Sequence, residues 1–366
     1  MPQVSIEEKR EWFRSVVLGA VLAAVVGWVL HVGKAVFVPI VFSVLIVYVI
    51  TGLARLMESI PAVGPRLPVQ LRYFLSICAI GLVLAAGVSL VISNVGRVVA
   101  IAPDYQESLL SKIHQVMVYF GIERAPTWTT LRDDFLGRIN VQALVGSTVA
   151  WVTALATTVG VVFLYVTFLL MEKRFLSDKL SRLSGNPRAV ERIRRALADI
   201  NTRIGAYLAL KTFINIILGL VSWAIMAMMG VEFAAFWAVV IAVLNYVPYI
   251  GSVLGVLFPV AMSIVQFNDT ATVLTLFAAL AAAQFVIGSF LDPYLLGNQL
   301  NLSPFVILAS LAAWSALWGI PGAFLAVPVT AVLVIILSGF SGTRPIAVLL
   351  SRNGLVGEEP TENSHV

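Results

Sequence analysis

The sequence predicts an all-α, polytopic integral membrane protein of about eight transmembrane helices, with broken or re-entrant helices in its C-terminal half. Three observations carry this. Apolar residues make up 60% of the 366-residue chain and charged residues only 12%, whereas soluble domains run about 45–50% apolar and about 25% charged. The apolar residues gather into runs, and a bilayer needs roughly 20 of them per span; the mean hydropathy is +0.96. Finally, two runs, Val231–Gln266 and Ser303–Ser338, are too long for one span and carry proline and glycine near their centres.

Residues 1–92 read as three spans. Ser15–His31 follows the charged segment Glu7-Glu8-Lys9-Arg10-Glu11, and Ala35–Ala54 follows almost at once, so the first run is expected to be an uncleaved helix rather than a signal peptide. Leu71–Ser93 is the third. Residues 93–143 then form an extracytoplasmic amphipathic insert. Pro103-Asp104 suits a helix start, Leu109, Ile113, Val116 and Phe120 share a face, and Gly121 stops it. A short helix with Asp133 and Asp134 is expected after Thr127.

Residues 144–203 hold a fourth span, Val145–Met171, and a basic cytoplasmic helix from Asn186-Pro187. Val190, Ile193, Leu197, Ile200 and Ile204 make its apolar stripe, with Arg188, Arg192, Arg194 and Arg195 around it. That pattern suits a helix lying on the membrane with its arginines near anionic lipid. Residues 204–340 are the expected transport region, with runs at Ile204–Met229, Val231–Gln266, Ala271–Leu291 and Ser303–Ser338. The tail, 341–366, carries Glu358, Glu359 and Glu362 and is expected to be disordered.

A straight helix over Val231–Gln266 would be about 54 Å long, against a hydrocarbon core of about 30 Å. The run must be a broken helix, a re-entrant hairpin or two spans. The same holds for Ser303–Ser338, interrupted at Trp318-Gly319-Ile320-Pro321-Gly322. Pro248 lies sixteen positions after Glu232, and Pro321 sixteen after Phe305, which suggests a weak internal repeat. Irregular backbone at membrane depth survives only when buried in protein or lining a wet cavity. Discontinuous helices also mark binding sites in transporters.

With eight spans and an inside N-terminus, 17 of the 24 Lys and Arg residues fall on inside segments and 6 outside, with Lys211 within a span. Both termini are therefore expected in the cytoplasm, the bilayer being a bacterial inner membrane. The net charge of +5 has the same origin, and no nucleic acid is expected. Cys78 is the one cysteine, and His31, His114 and His365 are scattered, so no disulfide, metal site or cofactor is expected. The chain has no phosphate-binding G-x-x-x-x-G-K-[ST] and no nucleophile–base pattern of an enzyme.

Ionisable residues within the membrane are functional candidates by default. Glu232, Asp269 and Asp292 stand at span ends, and Lys211 is placed to snorkel to the cytoplasmic surface. The expected substrate path for a small polar solute is Asn245, Tyr246 and Tyr249, supported by Asn215, Gln284 and Asp292. Pro248, Gly251, Gly255, Pro293, Gly297, Pro304, Pro321, Gly322 and Pro328 are the expected breaks, gates and close-packing points. Asp292-Pro293 and Ser303-Pro304 also read as N-caps followed by proline at the first helical position. Cation–proton antiport with Asp292 as the acid, and an assembly role through residues 94–142, are the alternatives.

Four elements also carry a family resemblance. Asn245-Tyr-Val-Pro-Tyr-Ile-Gly251 resembles the n-x-I-P-Y-I-G element of the autoinducer-2 exporter family, the PerM-type permeases. Asp292-Pro-Tyr-Leu-Leu-Gly297 is similar to its E/D-P-x-x-x-G element. Ser303-Pro304 and the stretch from Trp318 to Pro328 resemble its closing elements. Asp292 stands where glutamate is commoner, Pro321 where a small residue is usual, and Thr51-Gly52 where a proline often closes the second span. The resemblance implies an eight-span exporter of small polar solutes, autoinducer-2 being the leading candidate, assembled as a homopentamer.

Overall fold

A computed structural model describes residues 6–58, 67–94 and 141–354, apart from positions 83, 84, 88, 91, 92, 174, 184, 185, 268 and 298. The insert expected at 93–143 lies almost wholly outside the described residues, as does the chain beyond residue 354. The elements are α1 (Ile6–Val32), α2 (Lys34–Glu58), α3 (Val69–Gly87), α4 (Val141–Lys173), α5 (Leu176–Leu183) and α6 (Pro187–Met228). There follow α7 (Ala234–Leu244), α8 (Ile250–Gln266), α9 (Thr270–Val286), a π-helical turn (Ile287–Leu291) and α10 (Asp292–Leu296). The last three are α11 (Pro304–Trp318), α12 (Ile320–Ser338) and α13 (Arg344–Leu350). Among the described residues, five helices are long and apolar enough to cross a membrane. The chain is an all-α polytopic membrane protein.

The central post is α6, a single helix of 42 residues, about 63 Å long. The basic helix expected to lie flat on the membrane is instead the first half of this post. No proline interrupts the sequence from Arg188 to Met228, so nothing forces the chain to turn there. Arg192, Arg194 and Arg195 are exposed on it, and Glu191 pairs with Arg195 at 2.9 Å.

Two helical hairpins pack against the post. Ile214, Leu218 and Met226 of α6 meet Ala238, Ile241, Val256 and Val260 of α7 and α8, and Leu276 and Leu280 of α9. Ile200, Ile204 and Leu208 meet Leu325, Val327 and Ala331 of α12 in a second cluster with Leu45 of α2.

Both interrupted runs reverse direction at their breaks. In the first hairpin, α7–α8, a Cβ on Gly251 would lie 1.7 Å from the Leu244 carbonyl oxygen, and one on Gly255 would lie 3.5 Å from the Ile241 Cα. Such pairing, one partner rising as the other falls, belongs to antiparallel helices. At the hairpin's base, Gln266 donates to the Gly230 carbonyl at 2.8 Å and accepts from the Glu232 N–H at 2.9 Å. At about 16 Å and about 26 Å, neither arm spans a hydrocarbon core of about 30 Å. Of the three geometries open to this run, it takes the re-entrant hairpin.

The second hairpin, α11–α12, turns at Gly319, whose φ is +67°. Glycine holds that conformation without strain. A Cβ on Gly322 would lie 1.9 Å from the Trp314 carbonyl oxygen, and Trp314 donates across the hairpin to Thr330 at 3.0 Å. Its tip is tied to α1, where Trp318 Nε1 donates to the Leu30 carbonyl at 3.0 Å. The repeat is thus a long helix followed by a hairpin, twice.

The α9–π–α10 run starts beside the first hairpin's base and ends beside the second's. There Ser303 N–H donates to Leu350 O and Arg352 N–H to Asn301 O. The hairpins therefore open at opposite ends of this run. The expectation of a disordered tail from residue 341 is corrected over α13, where the apolar segment Ile346–Leu350 folds back and buries Ala347 completely.

Candidate functional site

The first break ends α7 at Asn245, whose side chain bridges two neighbouring helices. Its Nδ2 donates to Asn215 Oδ1 of α6 at 2.8 Å, and its Oδ1 accepts from Gln284 Nε2 of α9 at 3.0 Å. Asn215 and Asn245 are almost fully buried. Asn215 is 13 residues from the end of α6 and Gln284 is 14 residues into α9, so the ladder lies about 20 Å along both helices. Burying amides is costly unless they are bonded. This ladder satisfies its inner atoms, yet Asn215 Nδ2 and Gln284 Oε1 have no hydrogen-bond partner.

Tyr249 forms the tip beyond it. Its φ of +62° and ψ of −60° close a three-residue γ-turn in which Ile250 N–H donates to Pro248 O at 2.7 Å. This turn is rare and strained for a residue with a side chain. Tyr249 is half exposed and faces a cavity.

A third group comes from the π-helical turn, where Asp292 N–H bonds to Ile287 O five residues back. Pro293 supplies no N–H to the turn before it, which favours such a defect. Asp292 is therefore not the cap of a separate helix, as its place before proline suggested; the helix runs through it to Leu296. Its Oδ2 accepts from Lys211 Nζ at 2.8 Å. The Lys211 side chain is 9% exposed and that of Asp292 22%, and Asp292 Oδ1 has no partner. Lys211 does not snorkel away: its ammonium is paired inside the protein with Asp292, and its side chain is almost fully buried. Sequence reasoning discounted it, although an ionisable residue within a span was the signal that marked it.

These groups surround a cavity of about 840 Å³. Asn245, Tyr249, Gln284 and Asp292 line it, with Lys211, Pro248, Gly297 and Pro304. Val253, Val256, Leu257, Phe277 and Phe285 supply apolar wall. It runs from the first hairpin's tip to the second hairpin's base at Leu302, Pro304 and Arg352. A few polar groups on apolar walls is the usual make-up of a small-molecule site.

Other expected residues lie elsewhere. The Tyr246 hydroxyl is 2.7 Å from Thr212 Oγ1 of α6, which fastens the hairpin rather than lining the cavity. Asn215 stands behind Asn245. Gly251 and Gly255 serve the contact between α7 and α8. Pro293 lies within the α9–α10 run, Gly297 ends it with φ +50°, and Pro304 begins α11 behind Ser303, whose side chain accepts from Val306 N–H. Pro321 and Gly322 begin α12. Pro328 interrupts nothing, since α12 continues through it to Ser338.

Over residues 17–341 the sequence matches the family described as AI-2E family transporter. The chain belongs to that family. Its AI-2E relatives include the AI-2 transport protein TqsA of Escherichia coli (strain K12), 37% identical over 53% of this chain and 56% of that one. They also include "Putative transport protein YhhT" of the same organism, 29% identical over 78% of this chain and 80% of that one. "Putative permease PerM", again from E. coli K12, is 26% identical over 55% of each chain. This AI-2E chain is accordingly a multi-pass membrane transporter of the permease kind.

Proposed function

We propose that the protein exports a small, uncharged polar solute across the bacterial cytoplasmic membrane through this cavity. Autoinducer-2 is the leading candidate, on the strength of the name carried by TqsA. The observation behind the reading is the amide ladder of Asn215, Asn245 and Gln284 at the tip of a re-entrant hairpin. Gln284 and Tyr249 both line the cavity and bring an amide and a hydroxyl to it, groups suited to hydrogen-bonding a solute's hydroxyls. The balance of basic residues supports cytoplasmic termini, so the cavity's mouth at the second hairpin faces the cytoplasm. Family resemblance supports a homopentamer, and the exposed Arg192, Arg194 and Arg195, with Arg188, would lie near anionic headgroups. No cofactor is assigned.

Uptake of labelled autoinducer-2 into inverted vesicles tests this. Asn245→Ala removes the ladder's centre and should lower the rate by about 5- to 150-fold, since one lost buried hydrogen bond is worth about 1–3 kcal/mol. Tyr249→Phe should lower it less. Unchanged uptake in both variants contradicts the assignment. Cation–proton antiport is favoured by one observation, the unpartnered Oδ1 of Asp292 beside a π-helical turn. Flux driven by a sodium or proton gradient and abolished by Asp292→Asn would establish it instead.

A further inference from the structure

The π-helical turn changes what the main chain offers to the cavity. In an α-helix the Gly288 carbonyl would accept from the N–H of residue 292, and with π spacing from that of residue 293. Neither serves it. Asp292 N–H goes to Ile287 O, and residue 293 is a proline, which has no N–H. Ser289 O loses its α-helical donor to the same proline. Both residues line the cavity. Glycine has no side chain, so what Gly288 brings to that wall is main chain, and a Cβ built on it would meet nothing within 4 Å. A carbonyl outside the helix's own bonding is tolerated at membrane depth where it lines a wet cavity.

We propose that the Gly288 carbonyl, with that of Ser289 after it, is a main-chain binding site for a hydroxyl group of the transported solute. A carbonyl oxygen accepts and never donates, so the solute must be the donor. Asp292, the acid that follows the turn, is already matched by Lys211 at 2.8 Å, which suits the turn to a neutral donor rather than to a cation. Gln284 lines the same cavity one helical turn before Gly288, about 6 Å away along the axis. A solute with several hydroxyl groups can engage both. The proposal rests on reading this cavity as the transport path and narrows the solute to a neutral polyhydroxyl compound.

Pro293→Ala is the test, because Pro293 is not among the residues lining the cavity. Alanine returns an N–H, which reaches Ser289 O with α spacing or Gly288 O with π spacing. Either way one acceptor is withdrawn from the solute while every cavity side chain keeps its identity. The measurement is equilibrium binding of tritiated D-ribose and of labelled autoinducer-2 to the full-length protein in lipid nanodiscs. The wild type should bind at least one probe saturably. Pro293→Ala should weaken that binding about fivefold, the worth of one hydrogen bond, while its thermal unfolding midpoint rises. Gly288→Ala, whose methyl enters open space in front of the carbonyl, is the second variant should Pro293→Ala fail to fold, and should weaken binding to a similar degree. Absence of saturable binding of both probes to the wild type overturns the proposal. So does wild-type affinity in a folded Pro293→Ala or Gly288→Ala protein. Binding without vesicle uptake would fault the transport reading alone, whereas uptake with an affinity indifferent to Pro293→Ala would fault this site alone.

Discussion

Tyr249 shows how a residue can oppose stability while serving a site. Its positive φ strains any side chain, at a cost of about 1–3 kcal/mol, and it is held by Pro248 before it and the Asn245 ladder beneath. Tyr249→Gly should therefore raise the thermal unfolding midpoint in detergent while lowering solute flux, because the cavity loses a ring and a hydroxyl. A variant that is both less stable and fully active would contradict that division. The ladder residues converge as the sequence indicated, since an asparagine beside a proline break has few uses in hydrocarbon. Lys211 was less legible. A lysine within reach of a span's end reads as a snorkelling side chain, and only the packing of α6 against the π-helical turn reveals its carboxylate.

At the scale of elements, the two hairpins depend on glycines at which the opposing backbone leaves no room. Gly251→Ala would drive a methyl group into the Leu244 carbonyl, and Gly322→Ala into that of Trp314. Neither backbone can yield as a flexible side chain would, so each substitution should destabilise by about 3 kcal/mol or more. Gly19→Ala and Gly27→Ala, on α1 with nothing within 4 Å of the added carbon, should be neutral or slightly stabilising. Size-exclusion profiles and unfolding midpoints of the four variants check the contrast. The breaks were legible because length and hydrocarbon thickness conflict. Their reversal was not, since proline and glycine interrupt a helix without specifying the exit angle. The second turn illustrates this: attention falls on Pro321, yet Gly319 makes the reversal and Pro321 merely begins the next helix. The fusion of the basic segment into α6 is written only in the lack of a stop signal between Arg188 and Met228, a weaker mark than the amphipathic stripe that suits a separate surface helix.

At the scale of the whole molecule, α6 stands between two hairpins that open at opposite ends of the α9–α10 run. The first hairpin's body lies between the amide ladder and its own base, whereas the cavity extends from the ladder toward the base of the second. The cavity thus lies on the second hairpin's side of the ladder, and the proposed orientation turns that side to the cytoplasm. The decisive measurement is the solvent reach of the first hairpin's inner face. With Cys78→Ser as background, Ser252→Cys places one thiol on the cavity wall beside Tyr249. A membrane-impermeant thiol reagent should label it from the cytoplasmic side of sealed vesicles, while Leu220→Cys, on the exposed apolar face of α6, stays unlabelled. If water-borne reagent reaches the Ser252 position from neither side, the cavity is not a wet path and the transport account fails.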